Sequence, residues 1–313
     1  MFRFILRRLL SGVVLLFVIS TIAYSLLYVG GGDIARRILG QMATQEGVAQ
    51  KTAALGLDRP LIVQYGDWLG HAVRGDLGTS WFTGQLVTTG ITSRLGVTLS
   101  LVIGAILLTA VIAVVLGVWA AVNGGWADKI VQAVSILGFA IPGFLVALGL
   151  VTLFALNLKW FKPTGFVSLA ESPSGWLATV TLPIVALAIG SIAGVAQQVR
   201  GSVTDALRQD YVRTLRSRGL SFNRVVYKHV LRNAGGPALA VLAVQFVGLL
   251  GGAVIVEQIF AIPGLGQVAV AATTQGDIPM VMGLVVATAI IVVVVNLLID
   301  LLQGWLNPKV RLS

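Results

Sequence analysis

No cysteine occurs among the 313 residues, which excludes disulfides, thiol catalysis, cysteine-ligated zinc and iron–sulfur clusters. The two histidines, His71 and His229, are far apart and belong to no HExxH, so no metal site is expected within the chain. A GxxxxGK[ST] phosphate loop is missing and no lysine follows a glycine, so ATP is not held through a Walker motif. Gly-x-Ser-x-Gly is absent too, and no pair of aspartates sits within an apolar run as an intramembrane protease requires. Charge itself is scarce: 11% of residues are charged against 57% hydrophobic, the balance of a chain dissolved in lipid and not of a soluble domain.

What is present, above all, is long apolar stretches. A span needs on the order of 20 mostly apolar residues, and six runs qualify: Leu9 to Val29, Leu95 to Val122, Ile130 to Leu156, Leu177 to Gln197, Pro237 to Val256 and Met280 to Gln303. The first follows Arg3, Arg7 and Arg8; it is too long for an ordinary signal-peptide core and closes on no small-x-small site, so an uncleaved signal anchor is expected. The sequence therefore predicts an all-α polytopic membrane protein with six transmembrane helices, forming one membrane domain over residues 1–313.

The net charge of +10 has a topological cause. With both termini in the cytoplasm, the inner segments are the first eight residues, the 123–129 turn, the loop at 200–234 and the tail from Leu306. These and the adjoining helix ends hold most of the Lys and Arg and few acids, as the positive-inside rule requires. Basicity explained in this way needs no nucleic acid.

Residues 30–94 form the longest outer segment. Asp58-Arg59-Pro60 reads as a helix start, after which Leu61, Tyr65, Trp68, Leu69 and Ala72 share one face, and Gly75-Asp76-Leu77-Gly78 ends the helix. It either lies on the bundle and in the lipid interface or offers a docking surface to an external partner. No span has an ionisable residue near its centre, against an ion-coupled carrier. Asn296 and Asp300 share a face of the last run as an interhelical polar contact, and Gln245, Gln197 and Gln198 read likewise. Gly190 with Gly194, and Gly248 with Gly252, have the spacing of close helix contacts, and Pro142 should bend the third run.

One hydrophilic segment lies between apolar runs: RGSVTDALRQDYVRTLRSRGLSFNRVVYKHVLRN, Arg200 to Asn233. Val203, Leu207, Tyr211, Thr214 and Leu215 recur at helical spacing, Gly219 interrupts, and Val225, Val226, Val230 and Leu231 follow in a second short run. This predicts two short amphipathic helices bent at Gly219. Either they press into a groove on another protein and transmit a push, or their arginines merely face lipid phosphates.

The stretch LRQDYVRTLRSRGLSFNRVVYKHVLRN resembles the cytoplasmic EAA loop of ATP-binding-cassette importer permeases of the dipeptide, oligopeptide and nickel type. Similar matches follow the chain in order: GDLGTSW, RLGVTLSLVIGAILL, VLGVWAAVNGGWADKIVQAVSILGFAIPGF, GGAVIVEQIFAIPGLG and NLLIDLLQGWLNPKVR. The resemblance implies the type I importer permease architecture in a multi-pass protein of the bacterial plasma membrane. It implies that Asp210, Tyr211, Arg213, Thr214, Arg216, Gly219 and Leu220 belong to a coupling helix seated on a cytoplasmic ATPase. Leu215 departs from the pattern, since the peptide branch commonly has alanine there. Glu257, Phe260, Pro263 and Gly264 match an external re-entrant or gating loop, in which Glu257 contacts the gate, meets a substrate amine or caps a turn.

By the same resemblance the chain is half of a translocation path and no enzyme. ATP and Mg²⁺ belong to one or two ATPase partners, and no cofactor belongs to this chain. A second, similar but non-identical permease, an extracytoplasmic substrate-binding protein and membrane lipid are its other implied partners. Peptides, nickel chelates, sugars or other small solutes are the implied cargo. The rival readings are a self-contained oligomeric channel or carrier with a basic inner loop, and a structural or assembly factor.

Overall fold

The computed structural model describes residues 2–30, 34–40 and 42–306. Among them the regular elements are helices, with one isolated β-bridge between Thr79 and Leu86. In chain order these are α1 (Phe2–Gly30), α2 (Ile34–Leu39), α3 (Gln45–Ala54), α4 (Leu61–Ala72), α5 (Val87–Asn123), α6 (Gly125–Ala140) and α7 (Gly143–Leu150). α7 passes into a π-helical turn, Val151–Asn157, and α8 (Pro173–Leu207), α9 (Asp210–Ser217) and α10 (Phe222–Val225) follow. A second π-helical turn, Val226–Val230, leads into α11 (Leu231–Ile259), and α12 (Leu265–Gln275) and α13 (Ile278–Leu306) complete the described chain. The inner tail expected beyond Leu306 lies outside the described residues.

Five helices among the described residues are long and apolar enough to cross a membrane, and six spans result if α6 and α7 are taken as one. All six apolar runs of the sequence thus appear as helix. The third is bent at Pro142, as expected, with its halves meeting at 93°. Pro142 is the N-cap of α7 and lacks the N–H that would continue the ladder, while Ile141 before it is extended, as a residue preceding proline prefers.

The described chain divides into two compact units, one of residues 97–262 with 294–306, the other of the described residues in 2–96 with 263–293. The first is built around α8. Its most apolar window is 56% buried, so α8 is the core helix of this unit. Small residues make that core possible. A Cβ at Gly117 of α5 would stand 2.8 Å from the Ala196 carbonyl oxygen of α8, so the two backbones meet where no side chain fits. Of the glycines at contact spacing, Gly194 packs under Gln245 and Gly252 against Leu187, whereas Gly190 and Gly248 line an open groove.

In the second unit, α4 lies against α1. Tyr65 stacks beside Trp68 and meets Tyr24 at 5.5 Å between ring centres, and its hydroxyl is 2.9 Å from Ser20 Oγ. Leu61, Tyr65, Trp68, Leu69 and Ala72 are the half-buried residues of α4, as their spacing predicts, and Gln64 is buried with them. Gln64 Nε2 donates to the Arg59 carbonyl at 2.7 Å, which ties the start of the helix to its approach.

Candidate functional site: the α8 to α11 elbow and the segment after α11

α8 does not stop where its apolar run stops. It continues to Leu207, beyond the expected span end at Gln197, because Val199, Val203 and Ala206 keep an apolar stripe buried in the cluster with α5, α10 and α11. Arg200 leaves this stripe to form a two-pronged ion pair with Asp128 at the start of α6; its Nη2 donates to Oδ2 at 2.7 Å and its Nε to Oδ1. Gln132 Nε2 donates to the same carboxylate at 3.0 Å, so α6 and the end of α8 are fixed to each other in one geometry.

At Gln209 the backbone turns extended and α9 begins with Asp210 in its first turn and Arg216 in its last, both favourable to the helix dipole. This break resets the helical phase. Carried through from Leu207, the spacing puts Thr214 on the inner face; in the structure Val212 is buried there, with Tyr211 and Leu215 half-buried. Thr214 is exposed, and its hydroxyl donates to the Asp210 carbonyl at 3.1 Å. Asp210, Arg213, Arg216 and Gly219 are exposed as well, so α9 shows one fastened face and one charged, open face.

Gly219 ends α9 in a Schellman turn. Its φ is +84°, its N–H donates to the Arg216 carbonyl at 2.9 Å, and Leu220 N–H reaches back to the Leu215 carbonyl at 3.3 Å. The apolar contact that accompanies such a turn is supplied by Leu215 and Leu220, which pack on the same core cluster. Across the bend the Arg216 guanidinium sits 5.5 Å from the centre of the Phe222 ring. The expected bend at Gly219 is therefore present, but the helices it joins are α9 and a long rod running from Phe222 through a π-helical turn into α11.

Sequence reasoning missed Val212, Phe222 and the Asp128–Arg200 pair. An intact helical repeat would hide Val212 until the break at Gln209 is known, and no local signal links residues 72 positions apart.

The second group of expected residues follows α11. Glu257 is fully buried, and Thr98 Oγ1 of α5 donates to its Oε1 at 2.6 Å. Its carbonyl accepts from Ile262 N–H at 2.9 Å, which closes the turn after α11. Phe260 is buried, its carbonyl accepts from Gly165 N–H at 3.1 Å, and Ala261 has a φ of +48°. Pro263 and Gly264 lead into α12, with Gly264 as its N-cap.

Beyond α12, a second Schellman turn at Gly276, φ +80°, hands the chain to Asp277. That carboxylate is buried; it accepts from Ser80 Oγ, from Trp81 N–H at 3.2 Å and from Met280 N–H at the start of α13 at 3.5 Å. The GDLGTSW motif of the sequence is thus clamped to the α12–α13 junction. No group of three or more potential metal ligands occurs among the described residues.

Comparison with known proteins names the family of this helical chain, which has one broken span and a charged elbow between two of its long helices. Residues 113–312 match the model for the binding-protein-dependent transport system inner membrane component, and residues 1–102 match the model for its N-terminal part. The chain belongs to this family.

A putative peptide transport system permease protein of Brucella abortus (strain 2308) is 37% identical over 98% of both chains. A probable peptide ABC transporter permease protein of Sinorhizobium fredii is 34% identical over 98% of this chain and 99% of its own. A glutathione transport system permease protein of Salmonella typhimurium is 32% identical over 99% of each. Among solved structures, the inward-facing MetNI methionine ABC transporter matches with a TM-score of 0.53 and 16% identity, over 67% of this chain and 93% of that one, and so shares the fold. The chain is a multi-pass permease subunit of a bacterial ABC transporter in the plasma membrane, and is not itself an enzyme.

Proposed function

We propose that this permease forms half of the path by which peptides, or a small solute of related chemistry, enter the cell on ATP hydrolysis by separate subunits. Its partners in this reading are a second, similar but non-identical permease, one or two cytoplasmic ATPases and an extracytoplasmic substrate-binding protein. Both termini and the 200–234 connection face the cytoplasm, residues 30–94 face outward, and residues 1–313 act as one permease domain.

The observation that carries the reading is α9: an eight-residue charged helix held to the core by Val212, Tyr211 and Leu215, with its other face open. Asp210, Arg213, Thr214 and Arg216 meet the ATPase, Tyr211 and Leu220 secure the element from beneath, and Gly219 sets its angle. A push on the open face reaches α8 and α11 directly, since both end in the same cluster. The groove of about 330 Å³ lined by Gly143, Gly190, Ser191, Gln245, Gly248 and Gly252 borders the path opposite the second permease. Glu257, Phe260, Pro263 and Gly264 support its outer gate, with the buried Glu257 carboxylate bracing the gate and not touching cargo. The peptide assignment rests on the names of the relatives.

The test is retention of the ATPase subunits on the tagged, detergent-solubilised permease, read beside transport. Gly219→Trp is expected to remove both while leaving the chain in the membrane. Full association with full transport would overturn the coupling role, and ATP-independent uptake by the chain alone in liposomes would establish a self-contained carrier.

A further inference from the structure

The groove between α8 and α11 holds two polar side chains that bond to nothing within the described chain. Ser191 of α8 is only 7% exposed and Gln245 of α11 is half-buried, and both line the groove. Neither the hydroxyl nor the amide has a hydrogen-bond partner among the described residues. Gln245, expected from the sequence to bond across helices, lies instead in a notch left by glycine: a Cβ at Gly194 would stand 2.9 Å from its Nε2. The other end of the amide, Oε1, is the atom nearest a Cβ placed on Gly248, at 3.9 Å. The rest of the wall is glycine, alanine and larger hydrocarbon, and no ionisable side chain among the described residues lines it.

The place of the two groups along their helices excludes acyl chains as what meets them. Gln245 stands at the midpoint of α11, Leu231–Ile259, and Ser191 near the midpoint of α8, Pro173–Leu207. At 1.5 Å per residue, Gln245 is about 21 Å from either end of α11, beyond the reach of groups at the helix ends. Both helices belong to apolar spans, so this stretch of wall meets either hydrocarbon or the interior of the assembly. Hydrocarbon offers no hydrogen bond, and each polar group left unpaired against it carries the full cost of desolvation. A wetted path satisfies both groups with water until cargo replaces it.

The chemistry of the pair says which cargo it fits. A side-chain amide carries a C=O acceptor and an N–H donor, the complement of what a peptide bond presents, and a serine hydroxyl gives or accepts. Both groups are neutral, so neither charged end of a peptide is gripped. Gly143 and Gly190 leave open space where other residues would place a side chain, and so impose no choice among cargo side chains. The groove's volume of about 330 Å³ is that of a small-ligand site.

We propose that Ser191 and Gln245 form a subsite of the translocation path that hydrogen-bonds one peptide unit of the passing cargo, Gln245 Oε1 accepting from its N–H and the Ser191 hydroxyl donating to its C=O. The subsite reads the backbone and is indifferent to side chains. It rests on the reading of this groove as part of a peptide path.

The test uses the full transporter with its binding protein in phosphatidylethanolamine/phosphatidylglycerol vesicles. ATP-driven uptake of trialanine is compared with uptake of the same peptide N-methylated at its first peptide bond. The binding protein is common to every variant, so its own preference cancels against wild type. Gln245→Leu, which loses the acceptor at similar size, is expected to reduce the preference for trialanine roughly 2- to 10-fold, with the second permease and the ATPases retained. Ser191→Ala is expected to slow both peptides by a similar factor. A preference unchanged in Gln245→Leu, or uptake untouched in Ser191→Ala, would overturn the subsite. Release of the second permease by Gln245→Leu would overturn it in favour of a contact between permeases. The underlying reading fails separately: a wild-type transporter that hydrolyses ATP and takes up neither peptide overturns the peptide path, and the subsite with it.

Discussion

Replacing Gly219 by alanine separates the torsion of the α9 elbow from its contacts. A Cβ at this position meets nothing within 4 Å, so no steric clash within the chain follows. The φ of +84° remains, and an L-residue in the left-handed region costs about 1–2 kcal/mol. One to two kcal/mol is a factor of roughly 5–30 in an equilibrium constant, and the folded core, anchored by Val212 and Leu215, has no reason to change otherwise. The elbow angle should therefore be depopulated by that factor while the chain stays inserted. The assay is a titration of ATPase subunits against the tagged permease, with thermal unfolding as a control. Gly219→Ala is expected to weaken association about 5- to 30-fold, and Gly219→Asn, a residue that tolerates this conformation, to recover most of the loss. Wild-type affinity in the alanine variant would refute the torsional argument. An asparagine variant as weak as alanine would refute it differently, by pointing to a partner backbone that approaches the glycine too closely for any side chain.

Other perturbations probe the remaining contacts. Gly117→Val drives a side chain into the Ala196 carbonyl and is expected to destabilise the subunit by about 1–3 kcal/mol, seen as a lower melting temperature in detergent, whereas Gly201→Ala, whose Cβ meets nothing, should melt at the same temperature or above. Thr98→Val removes the donor to the buried Glu257 carboxylate and should cost about 1–3 kcal/mol; an unchanged melting temperature would mean that the bond contributes nothing. Asp277→Asn replaces one acceptor oxygen by a donor amide facing Ser80 or Trp81 N–H, and limited proteolysis of the 75–86 turn should accelerate; equal cleavage rates would rule out the clamp. Arg200→Lys keeps the charge but loses the planar fork, so the largely buried pair with Asp128 should weaken by about 1 kcal/mol, and a double-mutant cycle with Asp128→Asn would show a coupling energy that vanishes if the pair is incidental.

The six apolar runs were legible because lipid imposes one requirement, length with hydrophobicity, that a sequence window measures directly. The bend at Gly219 and the inward face of α4 were legible for a similar reason, since each depends on residues close together in the chain. The break at Gln209 was not, because nothing in Arg208-Gln209 forbids a helix; the turn there is imposed by how Val203 and Val212 both reach the core. The 93° angle at Pro142 exceeds a proline bend because α7 packs on α8 and α11 instead of extending α6. Ser80 and Asp277 are 197 residues apart, and Thr98 and Glu257 159, so only folding brings them together.

α8 runs unbroken from its cap at Ser172, whose hydroxyl accepts from Gly175 N–H, to within three residues of α9. Its 35 residues make an arm about 52 Å long, longer than the roughly 40–45 Å of a bilayer with its headgroups. Pro183 removes one rung of the ladder within it, the place where such a helix bends most readily. From Pro183 the portion toward α9, ending at Leu207, spans about 36 Å and the portion toward Ser172 about 15 Å. A bend at Pro183 would therefore carry the α9 end more than twice as far as the Ser172 end.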